Sequence, residues 1–320
     1  MSVTHDARPA IADYDSDGYD YRTYWAGRDY EQRAEADVLG RLFDRLPPCG
    51  WLVDLGGGYG RNAEHYRSVA EHSVLVDYST SNLERAADLH GWDVLSGRMH
   101  LVRADVNGLP FQTGAFDAAL AVRLLHHLPD LNGALPEMLR TVGGWAILDI
   151  PIKHHLLART RALLHGERTE LRDRAPRVSG ETSYPFHSFH LRAVREQLAE
   201  LGWHSEIAAS VNNFRRWDQL LPGPGVTALG PVVQSLEAMV QRVGRGWWGP
   251  NQLVRATRKQ CIAAVDNPPP RFIDPRLGAL AARMCCPSCR GELDWTLDEA
   301  ACSCCQLSYP RHGAYWDFAL

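Results

Sequence analysis

The chain has 320 residues, is 45% hydrophobic and 22% charged, and carries a formal net charge of −4. This length supports one substantial core and a small second unit. The mildly acidic balance excludes a general field for nucleic acid or anionic lipid. No apolar run approaches the roughly 20 residues that cross a bilayer, and the opening MSVTHDARPA lacks the pattern of a secretory leader, so no membrane partner and a cytoplasmic location are expected.

Residues 1–30 are acidic, yet they hold five tyrosines and Trp25, a composition expected of an ordered arm rather than a tail. Glu31 to Leu46 reads as a helix, with Val38, Leu39, Leu42 and Leu46 near one face and Pro47-Pro48 as its stop. Trp51 to Leu55 is a strand that enters a glycine-rich turn. Further strands are expected at 73–79, at His100–Ala104 and at Ala118–Val122. A helix over Leu131–Val142, broken by Gly143-Gly144, leads to a fifth strand, WAILDIP. Strands alternating with helices of this length imply right-handed crossovers, hence an α/β, doubly wound, mostly parallel sheet. Residues 152–190 read as an insertion or lid over its carboxyl edge, followed by a helix at Leu191–Leu201. WHSEIAAS and QLVRATR close the sheet antiparallel, and LLPGPGVTALGPVV is an excursion before an amphipathic helix at 233–243. The expected division is an aromatic arm at 1–30, the main domain at 31–262, a linker at 263–280 and a cysteine module at 281–320.

The turn after the first strand, D-L-G-G-G-Y-G, offers open backbone at Gly56, Gly57, Gly58 and Gly60. It lacks the third glycine of a dinucleotide fingerprint, and Asp54 suits a ligand's ammonium group better than a pyrophosphate. Asp77 closes the second strand, where a carboxylate can accept ribose hydroxyls; a nicotinamide dinucleotide stays open on that residue alone. Asp105 closes the third strand, within reach of an adenine amine. Three carboxylates at successive strand ends line one ligand crevice. His126 and His127, after the fourth strand, are the candidate catalytic bases. His155, Glu181, Tyr184, His187 and Arg215 are candidate substrate contacts. His187 and His190, three residues apart, form at most a partial metal site. The stretch Lys153–Arg177 holds seven basic and three acidic residues, a solvated face or a surface for an acidic substrate.

Six of the eight cysteines lie between Cys285 and Cys305. Cys286/Cys289 and Cys302/Cys305 form two Cys-x-x-Cys knuckles whose four thiolates satisfy tetrahedral Zn2+ with no open position, so the metal is expected to be structural. Cys285 and Cys304 stand beside these ligands.

Taken together, VDLGGGYGR, LVDYS, RADVNGLPF, FDAALAVRLLHHLPD and the Gly-Gly turn before WAILDIP resemble the successive motifs of class I S-adenosylmethionine-dependent methyltransferases of the ubiquinone/menaquinone-biosynthesis type, over about residues 30–210. The resemblance implies a seven-stranded Rossmann-like fold and S-adenosyl-L-methionine as cofactor. It implies Asp54 with the Gly56–Gly60 loop at the methionyl end, Asp77 at the ribose, and Tyr78 against the adenine. Asp105 and Val106 would hold the adenine edge and Arg123 would border the methionine, with Tyr24 and Arg28 closing from the arm. CPSCRGEL, the second knuckle and YPRHGAYWDF resemble a Trm112-like zinc ribbon, with Gln306 where that family has glycine and Ala314 where it has proline. The expected function is methyl transfer to a small-molecule acceptor in a biosynthetic or tailoring pathway. The alternatives are an RNA or protein methyltransferase that docks through the zinc module, a non-catalytic partner protein, or another use of the sulfonium. The module, with three basic and five acidic residues over 283–320, disfavours nucleic acid.

Overall fold

The structure is a computed structural model and describes residues 15, 21–166, 169, 172–179, 185–217, 223–260 and 275–319. A short helix α1 (Tyr21–Trp25) leads into α2 (Asp29–Phe43). The first half of the sheet is β1 (Cys49–Leu55), α3 (Ala63–Tyr66), β2 (Ala70–Asp77), α4 (Thr80–Leu89), α5 (Gly91–Leu95) and β3 (Met99–Arg103). The second half is β4 (Phe116–Ala121), a 3-10 turn at Leu125–His127, α6 (Leu131–Arg140) and β5 (Val142–Pro151). Then come α7 (Leu156–Leu164), the hairpin β6 (Arg177–Ser179) and β7 (Phe186–Ser188), α8 (Leu191–Glu200), β8 (Trp203–Val211), α9 (Gly223–Val243) and β9 (Asn251–Arg258). The cysteine region holds α10 (Pro275–Ala281), β10 (Leu293–Trp295), β11 (Glu299–Cys302), β12 (Ser308–His312) and β13 (Tyr315–Asp317).

Seven strands in the order β3-β2-β1-β4-β5-β9-β8 form the expected Rossmann-like methyltransferase sheet, parallel except for β9, which runs antiparallel to both β5 and β8. The chain changes direction of winding between β1 and β4, so the crevice lies beyond the carboxyl ends of those neighbours. Alternate residues of β1 enter opposite layers. Val53 and Leu55 join a core that includes α6 and α8, and Leu52 joins the core beneath α2, α3 and α4. Burial on both faces is why these strands read as continuous apolar runs. Ser79 caps α4 by accepting from Asn82 N, and Asp130 caps α6 by accepting from Asn132 N.

Two sequence expectations are corrected. Gly143 and Gly144 do not break the chain before the fifth strand; they lie inside β5. A Cβ on Gly144 would stand 2.5 Å from the Asp117 carbonyl oxygen of β4, so glycine here answers a close backbone approach. Because backbone cannot give way, Gly144→Ala is expected to cost about 2–3 kcal/mol or more, seen as a lower urea midpoint with unchanged slope. The second correction concerns α9, which starts at Gly223 and carries Pro231 within it, rather than beginning at 233 after a loop. Pro231 is exposed, where its missing N–H and ring are tolerated, and packing of Glu237, Val240 and Gln241 holds the helix down.

The cysteine region is continuous with the sheet. β13 pairs parallel with β3, extending the order as β10-β11-β12-β13-β3 to eleven strands. Trp295, Tyr309, Trp316 and Phe318 enter the same core as Leu135 and Phe111. Arg290 donates to the Leu109 carbonyl at 2.6 Å and pairs with Glu137 at 2.7 Å. Helix α10, Pro275–Ala281, begins inside the stretch expected as linker and ends at the first residue of the expected module. Among the described residues, no helix is long and apolar enough to cross a membrane.

Candidate active site

The turn after β1 is wound so that side chains are excluded from it. Gly56, Gly58 and Gly60 have φ of 66°, 58° and 78°, a region costly for other residues. Gly57 matters for space: a Cβ there would meet Leu75 at 2.9 Å and the Asp54 carboxyl group at 3.0 Å. Asp54 itself is 1% exposed, and its Oδ2 has no hydrogen-bond partner. Burial pushes its carboxyl up to about 7, against the opposing pull of the nearby Tyr66 hydroxyl and Arg61 charge. A buried carboxyl oxygen without a partner, next to a turn stripped of side chains, fits the ammonium of an amino acid.

Asp77 is already engaged. Its Oδ2 accepts from Gly58 N at 2.8 Å, and its Oδ1 accepts from Ser79 N at 3.0 Å and Asn82 Nδ2 at 3.4 Å. These bonds fix the carboxylate beside the glycine turn and leave about one lone-pair direction for a ligand hydroxyl. Burial raises its pKa. Tyr78, half-buried, is backed by Arg103, whose guanidinium lies 4.8 Å over the ring and whose Nε donates to the Tyr78 carbonyl at 2.8 Å. Asp105 Oδ1 accepts from Asn107 N and Nδ2, both at 2.9 Å, forming a turn that leads half-buried Val106 against the core.

Arg123, which has φ 58°, joins the arm to the β4 loop. Its Nε donates to Glu35 at 2.9 Å, its Nη1 donates to the Tyr24 hydroxyl at 2.8 Å, and its guanidinium lies 4.6 Å over Trp25. Arg61 covers the same Trp25 ring at 4.0 Å and pairs with Glu35. Arg28 stacks on Tyr24 at 4.3 Å and pairs with Glu31 at 3.4 Å, and Arg215 reaches Glu31 at 3.3 Å. Sequence reasoning missed Trp25, Glu31, Glu35 and Arg61. The signal was present: Glu31 and Glu35, four residues apart, share α2's buried face with Val38 and Leu39, and carboxylates on a buried face require cationic partners. Asp149 of β5 was also missed. It is 3% exposed, accepts from Asn251 Nδ2 at 2.9 and 3.1 Å, and is pushed up to about 6 by burial and by Glu35. Asp15 is a further latch from the arm, accepting from the Ser79 and Thr80 hydroxyls at 2.8 and 2.9 Å at the start of α4.

The histidines gather beyond β4. His126 packs against His127 at 3.9 Å between ring centroids and stacks on Phe186 at 4.6 Å. His187, 5% exposed, donates from Nδ1 to the His126 carbonyl at 3.2 Å. Burial, then neighbouring positive charge, depresses His126 well below its usual value and lowers His127 to about 4. His155, at the start of α7, is lowered by burial and by Arg161, Arg177 and Arg215. Among the described residues His187 and His190 belong to no group of three or more potential metal ligands, and His190 stacks on His154 at 4.6 Å. Glu181 and Tyr184 lie outside the described residues.

In the cysteine region, the Sγ atoms of Cys286, Cys289, Cys302 and Cys305 lie within 4.8 Å of one another, the only such group among the described residues. The pairs Cys286–Cys305 and Cys289–Cys302 are 3.5 and 3.4 Å apart, close to the ~3.8 Å edge of a zinc–thiolate tetrahedron. Tyr309 Oη stands 3.1 Å from Cys286 Sγ. Gly291 leaves room for the cluster, since a Cβ there would meet Cys304 Cβ at 2.9 Å. The residues after the knuckles, Arg290 and Gln306, have φ of 63° and 61°, which explains in backbone terms why glycine suits position 306.

Residues 53–148 match the family model described as a methyltransferase domain. The O-methyltransferase cnsE of Penicillium expansum is 28% identical over 43% of this chain and 53% of its own length. The 27-O-demethylrifamycin SV methyltransferase of Amycolatopsis mediterranei is 28% identical over 60% of this chain and 69% of its own length. The chain spans about half the length of several curated relatives it matches. A putative S-adenosylmethionine-dependent methyltransferase structure from Listeria monocytogenes superposes with a TM-score of 0.48 at 13% identity, over 71% of this chain and 99% of that one.

Proposed function

We propose that this chain, which carries a class I S-adenosylmethionine-dependent methyltransferase domain, moves the sulfonium methyl group to a hydroxyl oxygen of a small biosynthetic metabolite. One observation carries the choice of oxygen: His126 and His127 stand side by side beyond β4, and both are kept neutral by burial. Displacement at a sulfonium methyl is in-line, and an oxygen acceptor must shed its proton. A neutral imidazole accepts that proton. One whose conjugate acid is as strong as that of His127 does so best from an acidic hydroxyl, such as a phenol or an enol. The names of two fungal relatives, O-methyltransferases, and of the bacterial 27-O-demethylrifamycin SV methyltransferase support an oxygen acceptor.

When bound, the cofactor supplies the electrophilic methyl group; the chain's own residues bind and orient. Asp54 would hold the amino group, with Asp77 at a ribose hydroxyl and Asp105 and Val106 at the adenine edge. Tyr78, backed by Arg103, would wall the ring. Arg123 would set the floor through Tyr24 and Glu35, and Arg28 would brace the arm. His155, His187 and Arg215 would line the acceptor's side. The four converging thiolates would hold a structural Zn2+.

The test is mass-spectrometric transfer to a panel of phenols, alcohols and amines. His126→Ala/His127→Ala is expected to lower turnover of the accepted hydroxyl compound about a hundredfold or more, with affinity for S-adenosylhomocysteine unchanged. Transfer to amines alone, or full turnover by the double variant, would discard the oxygen assignment.

A further inference from the structure

Helix α9 is amphipathic the wrong way round for a helix at the surface of a monomer. The side that faces α2 and β8 is largely polar: Glu237 is fully buried and Gln241 is 1% exposed. Tyr30 donates to Glu237 at 2.6 Å, Asn213 Nδ2 donates to it at 3.0 Å, and Gln241 donates to the Ala34 carbonyl at 2.9 Å. The opposite side carries the large apolar residues. Leu229, Val232, Leu236, Met239 and Val243 are 46%, 54%, 42%, 53% and 62% exposed. Their spacing is 3, 4, 3 and 4 residues, the a/d repeat of a helix that packs along its length against another helix. A helix with a satisfied polar side turned inward and an uninterrupted apolar seam turned outward has its hydrophobic partner elsewhere.

We infer that this seam is the contact between two copies of the chain, joined as an antiparallel α9–α9 pair about a twofold axis. Self-association follows from the seam itself, because a two-fold contact needs one patch complementary to itself, and an a/d repeat of aliphatic side chains is that. Charge sets the direction. The helix has only two charged residues, Glu237, which is buried, and Arg242, which is exposed. Parallel pairing would bring the two Arg242 side chains together, whereas antiparallel pairing places them at opposite ends. The area is sufficient. The five seam residues present on the order of 500 Å2, the upper range that monomers leave open. With the exposed flanking Ala228, Pro231 and Ser235, each copy approaches the ~800 Å2 that one partner contributes to a stable interface. A lipid surface is the poorer occupant, since an interfacial helix flanks its apolar side with several lysines or arginines and this one has a single arginine.

Sedimentation velocity and light scattering of the full chain, over a wide concentration series, test the inference. A particle of twice the 35.8 kDa chain mass is expected. Leu236→Glu/Met239→Glu should weaken association at least tenfold, with melting temperature and affinity for S-adenosylhomocysteine held near those of the parent. Val232→Lys should do so in milder form, and Leu236→Ile, which keeps the seam apolar, should remain dimeric. A parent chain that is monomeric throughout overturns the inference. So does a dimer indifferent to both the Leu236→Glu/Met239→Glu and Val232→Lys variants, or a monomer that co-sediments with anionic phospholipid vesicles through these residues.

Discussion

Replacing Asp54 by asparagine is expected to lower affinity for S-adenosylhomocysteine about a hundredfold or more, while making the unliganded protein more resistant to heat above neutral pH. The two effects share one cause. The Asp54 carboxyl is buried, lacks a partner on Oδ2 and is raised to about 7, well above the ordinary 3.8, so ionising it opposes folding. That penalty is absent below pH ~4, grows between about 4 and 7, and is complete above 7, where it reaches about 2–4 kcal/mol. Asparagine removes it. The same charge is what an ammonium group would neutralise, and removing one partner of a buried ion pair costs about 2–5 kcal/mol of binding. Titration calorimetry and melting curves at pH 8 and pH 4.5 check both halves. Affinity of the parent chain should also fall as pH drops below about 7, approaching tenfold per unit, because the ligand then has to displace a proton from Asp54. Retained affinity in Asp54→Asn, or a pH-independent parent, would remove Asp54 from the amino-group site.

A buried group that destabilises the empty protein, and that a bound cation would relieve, is what a binding site rather than a structural ion pair is expected to hold. This separates Asp54 from Glu35. Glu35 is equally buried, but Arg123 and Arg61 hold its pKa below the ordinary value despite burial. Its ionisation therefore favours folding, and its role is to position Arg123 and the arm.

The strand-end acids were legible because a strand, a glycine turn and a helix are local patterns, and the crevice follows from topology once β1 and β4 are neighbours. Asp54, Asp77 and Asp105 therefore fall at one sheet edge, as their spacing implied. What was not legible depends on partners distant in sequence. Nothing near Arg123 in the chain announces Tyr24 or Glu35, which are 99 and 88 residues away. Trp25 reads only as an aromatic until the guanidinium groups of Arg61 and Arg123 are both seen against its ring. Gly143-Gly144 misled because glycine pairs signal breaks locally, whereas here the constraint is the neighbouring strand's carbonyl. The α9 boundary was lost for a related reason: Pro and Gly lower local helix propensity, and the tertiary hydrogen bonds that Glu237 accepts and Gln241 donates outweigh them.

Stripping zinc from the whole chain should loosen the cofactor site as well as the cysteine module. The four thiolates converge at one end of a small unit whose β13 is also the outer neighbour of β3. A metal-held ribbon of this size derives most of its folding free energy from the metal, so chelation is expected to free β13 and expose Trp316 and Phe318, now 3% and 2% exposed. The β3 edge would then be open to pairing with other chains, and the melting temperature should fall by about 10 °C or more. The effect on ligand binding travels through one side chain. Asp317 of β13 holds Arg103 Nη1 at 3.0 Å, and the same guanidinium backs Tyr78. Without Asp317, Arg103 keeps its Nε bond to the Tyr78 carbonyl but loses the ion pair at Nη1, and affinity for S-adenosylhomocysteine should weaken several-fold. Asp317→Asn, which keeps the strand and the metal, should reproduce part of that loss without the drop in melting temperature. Metal analysis should give about one zinc per chain, lost in Cys286→Ser/Cys302→Ser and kept in Cys285→Ser and Cys304→Ser. A metal-free chain with unaltered melting and affinity would show that the ribbon stands on its packing alone.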